Sequence, residues 1–148
     1  MKKKILAIVM IMAMCLSLCA CGDSEEEKEA NLKTYLIDYL CDDPPFDDLV
    51  DAITSKYGYG LMEMTDYKVN NIVEDTRDWT LNSDRSNYTD EQNKILDEAL
   101  IKYYNVSGSY IVTRDGNPIT GEWSGLYMVG EYDGEYGTAC LSYSVDVD

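Results

Sequence analysis

Histidine is missing from all 148 residues of the chain. That removes the commonest general base, the usual partner of a nucleophilic serine or cysteine, and the commonest metal ligand. Positive charge is also scarce, with 12 Lys and Arg against 28 Asp and Glu and a formal charge of −16. Nucleic acids and anionic lipid surfaces are therefore poor partners, because both are bound through Lys and Arg contacts to phosphates. No glycine-rich phosphate loop is present, since Gly121 and Gly125 lie in a strand-like region with no helix after them. Internal repeats at solenoid or propeller periods are absent as well. Phenylalanine occurs once, against 13 tyrosines and two tryptophans.

What is present begins at the N-terminus. Lys2, Lys3 and Lys4 precede an apolar run over 5–18, and the run ends in Leu18-Cys19-Ala20-Cys21-Gly22. A cationic start, a greasy stretch too short for a comfortable membrane span, and a small residue at its boundary have the pattern of a secretory signal. A signal cut elsewhere or a signal-anchor helix would leave the small residue followed by cysteine unaccounted for. This segment resembles the lipobox of bacterial lipoprotein precursors. The resemblance covers only about the first 22 residues. It implies cleavage between Ala20 and Cys21, a diacylglycerol thioether on Cys21 as the only added group, and a protein tethered to the outer face of the bacterial cell membrane.

Without residues 1–20, which hold three lysines and no acid, the formal charge falls from −16 to −19. Cations, basic peptides and basic wall components are the partners this charge favours, although acidity also serves solubility alone. The polar run over 21–29 contains no residue able to enter a core and reads as a solvated tether. Residues 30–148 then suit a single domain with one modest core.

Leu32, Tyr35, Leu36, Tyr39 and Leu40 recur with helical spacing and predict a helix over 29–40. Asp43-Pro44-Pro45 caps a second helix carrying Phe46, Leu49, Val50, Ile53 and Tyr57, which Gly58-Tyr59-Gly60 ends. Residues 61–81 fit either state, and the spacing of Val69, Ile72, Val73 and Thr76 tips them toward helix. A loop over 82–88 leads to Thr89-x-x-Gln92, a capping box. It opens a helix over 90–104 with Ile95, Leu96, Ala99, Leu100 and Tyr103 on its apolar stripe.

Beyond Gly108 the pattern alternates, predicting strands over 109–114, 121–132 and 135–147 with turns at 115–118 and at Asp133-Gly134. The middle strand, with Trp123, Tyr127 and Val129 on one face and Leu126 and Met128 on the other, should be covered on both. The expected fold class is α+β: N-terminal helices packed on a C-terminal antiparallel meander, a layout similar to cystatin-like and NTF2-like folds.

Chemistry is sparse. Of five cysteines, Cys15 and Cys19 fall in the signal and Cys21 at its end. Cys41 and Cys140 remain, and a disulfide between them is disfavoured because alternation puts Cys140 with Thr138, Ser142 and Ser144 on the polar face. Glu122, Glu131 and Glu135 are candidates for paired-carboxylate glycan hydrolysis, which would need two acids about 5 to 9.5 Å apart. Asp42, Asp43, Asp47, Asp48 and Asp51, or Asp146 and Asp148, could attract calcium. Neither group matches an EF-hand, the first is explained by a helix cap and first turn, and no metal site is expected. Trp123, Tyr127, Tyr132, Tyr136 and Tyr143 are the candidate binding face, a half-wet aromatic platform for a protein, peptide or wall glycan. The alternative is that Tyr127 and Tyr143 face the core while Tyr132 and Tyr136 pair across the hairpin. Together these features point to a non-catalytic, lipid-anchored binding domain. A carboxylate-dependent hydrolase and an accessory subunit of a membrane assembly stand as the alternatives.

Overall fold

The computed structural model describes residues 24–77 and 85–148. The signal-like segment, with Ala20 and Cys21, lies outside the described residues. The chain runs α1 (Glu25–Asp42), α2 (Phe46–Tyr57), β1 (Met62–Glu74), a short 3-10 turn (Arg85–Asn87), α3 (Asp90–Glu98), β2 (Leu100–Arg114), β3 (Asn117–Tyr132) and β4 (Glu135–Val147). The strands form one antiparallel sheet in the order β1-β2-β3-β4. This is an α+β fold, with two helices on one sheet face and α3 on part of the other. None of the helices among the described residues is long and apolar enough to cross a membrane.

Helix α1 starts earlier than its apolar stripe suggests. Ser24 Oγ accepts the Glu27 amide at 3.3 Å, and Glu25, Glu26 and Glu27 occupy the first turn. Acidic side chains there complement the helix dipole, so part of the run expected to be a tether is capped helix. Leu32, Leu36 and Leu40 of α1 and Leu49 and Ile53 of α2 are buried on Tyr104, Val106, Tyr110, Val112, Trp123, Tyr127 and Val129 of β2 and β3. Ion pairs tie the start of α1 to the sheet, Lys102 to Glu29 at 3.1 Å and Lys28 to Glu131 at 3.8 Å, and Lys102 also joins β2 to β1 through Glu74 at 3.0 Å.

The segment inclined toward helix is instead strand β1. Two register shifts, between Met64 and Asp66 and between Val69 and Asn71, each insert an extra residue opposite β2. Met62, Met64, Tyr67, Val69 and Ile72 all pack on the helix-side core. Their spacing changes from two to three at each bulge, which is why Val69 and Ile72 imitate helical periodicity. The meander therefore has four strands, not three.

Helix α3 has the expected capping box: Thr89 Oγ1 accepts the Gln92 amide at 3.2 Å, and Gln92 Oε1 accepts the Thr89 amide at 2.9 Å. It stops at Glu98, and Leu100 and Tyr103 belong to β2. Leu100 packs on the helix-side core and Tyr103 on the opposite cluster with Ile95 and Met128. A strand covered on both faces lacks polar alternation, so it extended the helical stripe. Both hairpins turn on two residues with positive φ: 50° and 82° at Asp115 and Gly116, 52° and 82° at Asp133 and Gly134. This type I′ geometry suits Asp-Gly.

Candidate functional site

The five aromatic residues of the expected platform do not form one surface. Trp123 is 2 % exposed and stacks between Tyr67, with ring centroids 4.9 Å apart, and Tyr143, at 5.8 Å. Tyr67 and Tyr143 close the stack through their hydroxyls at 3.4 Å. Tyr127 is equally buried, and Tyr136 stacks on Tyr35 of α1 at 5.4 Å. Tyr132 lies on the opposite face in the α3 cluster, its hydroxyl 3.4 Å from Glu98. Trp123, Tyr127, Tyr136 and Tyr143 belong to a core under two helices, and Tyr132 pairs across the hairpin with Glu135, not with Tyr136.

Cys140 also changes sides. Tyr127 pairs with Cys140 and Leu126 with Ser142, so Leu141 is an extra residue in β4. The bulge flips the faces: Cys140 joins the helix-side core along with Tyr143, Val145 and Val147, while Ala139 and Leu141 point to the α3 side. Cys41 is exposed near the end of α1, Cys140 is half-buried, and no disulfide joins them.

The flip brings Cys140 into a cavity of about 420 Å³ between the α1–α2 junction and β4. Its walls are Tyr39, Leu40, Pro44, Pro45, Phe46 and Tyr127, and Asp43, Asp47 and Asp48 line it together with the Cys140 thiol. The local sequence builds this corner. The Asp43 amide donates to Tyr39 O at 3.0 Å, ending α1, and two prolines then restrict the backbone before α2 begins. Asp47 and Asp48 sit in the first turn of α2, favoured there by the helix dipole. Cys140 Sγ donates to Ser142 O at 3.3 Å.

Electrostatically the cavity is one-signed. Among the described residues its lining includes three carboxylates and no basic side chain. Burial pushes the Tyr127 phenol far above its ordinary value, helped by Cys140 and Tyr143 beside it. The Tyr39 phenol is raised by burial, then by the charges of Asp43 and Cys140. Both phenols therefore stay neutral near pH 7 and can donate hydrogen bonds to a ligand, while carboxylates can accept them. A cation with an apolar stem suits such a lining, with rings beside the stem and carboxylates around its charged end.

Other sequence candidates stay apart. Asp42 and Asp51 are exposed and lie outside the cavity lining. Among the described residues no three Asp, Glu or Cys side chains are grouped to hold a metal ion. Glu131 is buried on the helix side, accepting the Gly134 amide at 2.6 Å. Glu122 is exposed nine residues back along the same strand, about 30 Å away. Glu135, paired with Tyr132, belongs to the opposite face from Glu131. These three carboxylates do not converge. Tyr39 and Phe46 were legible only as helical apolar positions. The double proline between their helices is the signal that a corner, and hence a cavity, lies there.

Comparison with known proteins yields no match to this chain among protein-family models, curated proteins or solved structures.

Proposed function

We propose that the protein is a lipid-anchored, extracytoplasmic bacterial lipoprotein whose folded domain is a non-catalytic receptor for basic peptide side chains. The observation that carries the binding half is the cavity of about 420 Å³ where Asp43, Asp47 and Asp48 meet the rings of Tyr39, Phe46 and Tyr127. Two further features support it. The net charge, −16 for the whole chain and −19 without residues 1–20, draws cations toward the domain. The 18 residues of α1 separate its N-terminus from the cavity by about 27 Å. A chain anchored through Cys21 would thus carry the cavity at the end of α1 remote from its anchor.

The anchor is tested by intact mass spectrometry of membrane-purified protein. A diacylglyceryl mass on Cys21, lost in Cys21→Ala, is expected, and an acylated, normally processed variant would overturn it. For the cavity, tetralysine titrated into the wild type at low salt should perturb the amide resonances of residues 39–48. Asp43→Asn/Asp47→Asn/Asp48→Asn should weaken binding at least tenfold. Equal binding by the triple variant would refute the cavity as the site.

A further inference from the structure

Strand β4 is one of the two outer strands of the sheet, and its ladder phase shows which backbone groups it leaves over. The Asp148 amide donates to Thr120 O at 3.3 Å. Counting back by twos through the register, Asp146 is bonded opposite Glu122 and Ser144 opposite Ser124. The amides and carbonyls of Tyr143, Val145 and Val147 therefore point away from the sheet. Val147 O confirms the phase, because it accepts Lys56 Nζ from α2, and Tyr57 caps the next carbonyl, Asp148 O. At the other end the Leu141 bulge interrupts the edge. Between bulge and cap, the outward groups of Tyr143 and Val145 have no hydrogen-bond partner among the described residues.

This edge leads into the acidic cavity. Cys140, next to the bulge, lines the cavity, and Asp48, also in its lining, is close enough to Tyr143 for its charge to raise that phenol after burial has done so. We propose that β4 takes up an extended basic peptide as an added antiparallel strand, its alternate lysine or arginine side chains turned to the helix side and into the cavity. The proposal rests on the reading of the cavity as a receptor for basic side chains and adds the backbone by which the peptide is held. Charge selects the occupant. A second copy of this chain would bring a like negative charge, −19 without residues 1–20, whereas a basic strand meets Asp43, Asp47 and Asp48 on the helix side and Asp146 on the open side. Main-chain bonds to the edge supply affinity without regard to sequence, and the cavity supplies preference for cations.

Geometry gives a sharp test. A residue of the added strand opposite Tyr143 or Val145 points its side chain to the helix side and its own amide at β4. In an alternating Lys-Val decapeptide the amides that matter are therefore those of the lysines. The unmodified decapeptide should bind and slow hydrogen exchange of the Tyr143 and Val145 amides at least tenfold. Methylation of every lysine amide should weaken binding at least tenfold, and methylation of every valine amide should leave it within about twofold. Val145→Pro removes an outward amide that β3 does not use, and it should weaken binding tenfold with its circular dichroism unchanged. Equal binding by both methylated peptides, with Tyr143 and Val145 unprotected, would overturn strand addition and leave the cavity reading standing. Failure of all three peptides to bind the wild type would overturn both.

Discussion

The two faces of the sheet are built from alternate residues of the same strands yet share almost no chemistry. The helix side holds Trp123, Tyr110, Tyr127, Tyr104 and the aliphatic residues of α1 and α2 in one continuous core. The other side is divided: α3 covers one half with Ile95 over Met128, Tyr103 and Leu141, and the remainder is a row of small polar residues, Asn71, Ser107, Ser124 and Ser144, aligned across all four strands. Glycines on the helix side underline the contrast. A Cβ at Gly108 would lie 2.6 Å from the Trp123 indole and 1.8 Å from Lys68 O, so the indole occupies the space a side chain would need. The larger core lies on one face, the smaller α3 cluster covers part of the other, and the rest of that face is left for solvent.

The hardest blow to that division is Trp123→Ala. The indole is sandwiched by Tyr67 and Tyr143 and lies against Gly108, so its loss leaves a cavity that two rings and a glycine cannot fill. A loss of about 3–5 kcal/mol is expected, read as a lower urea midpoint at unchanged slope. The Trp123 Nε1 proton has no hydrogen-bond partner among the described residues, so no bond is lost to add to this cost. A loss below about 1 kcal/mol would mean that the aromatic stack does not hold the sheet to the helices.

Alkaline pH probes the same face without mutation. Burial first raises both Tyr67 and Tyr127 well above the ordinary tyrosine value, helped at Tyr67 by the Tyr143 phenol and at Tyr127 by Cys140 and then Tyr143, and burial raises Tyr110 to about 12. In the unfolded chain these groups ionise near pH 10, so up to about pH 10 both states keep their protons and the contribution is constant. Above that the unfolded state loses protons the folded state retains, and stability falls as pH rises. Urea midpoints should therefore drop steadily above about pH 10, with tyrosinate absorbance rising in step with unfolding. A flat midpoint up to about pH 11.5 would contradict buried, neutral phenols on the helix face.

The contrast also explains which parts of the molecule could be read in the sequence. Where one rule governed, the reading held: the Thr89 to Gln92 capping box, the Asp133-Gly134 hairpin, and the stripes of α1 and α2 all depend on neighbours in the chain. The failures cluster at bulges and doubly covered strands. Extra residues in β1 gave Val69 and Ile72 a helical spacing, and the extra Leu141 moved Cys140 from the polar side to the helix side. Leu100 and Tyr103 pack on opposite faces, so they show no alternation and lengthened α3 on paper. Strand bulges depend on partners far away in sequence, and nothing local announces them. The candidate site suffered for the same reason. Asp47 and Asp48 were legible as a first turn, whereas Asp43, read as the cap of α2, instead ends α1 and leaves Pro45 at the start of α2 without a side-chain cap; their meeting with Cys140 depends on the β4 bulge.

The smallest effect is expected on the open face, and it is the more discriminating for being small. Ser124 stands in the polar row between Ser107 and Ser144 and is exposed, and its hydroxyl makes no hydrogen bond with another described residue. Ser124→Ala should change stability by no more than about 0.5 kcal/mol, measured by the same urea titration as Trp123→Ala one residue away. Adjacent residues of one strand would then differ several-fold in energetic weight because one points under the helices and the other into water. If Ser124→Ala instead cost 2 kcal/mol or more, the open half of the sheet would be part of the stabilising structure, and the division between a load-carrying face and a solvated one would fail.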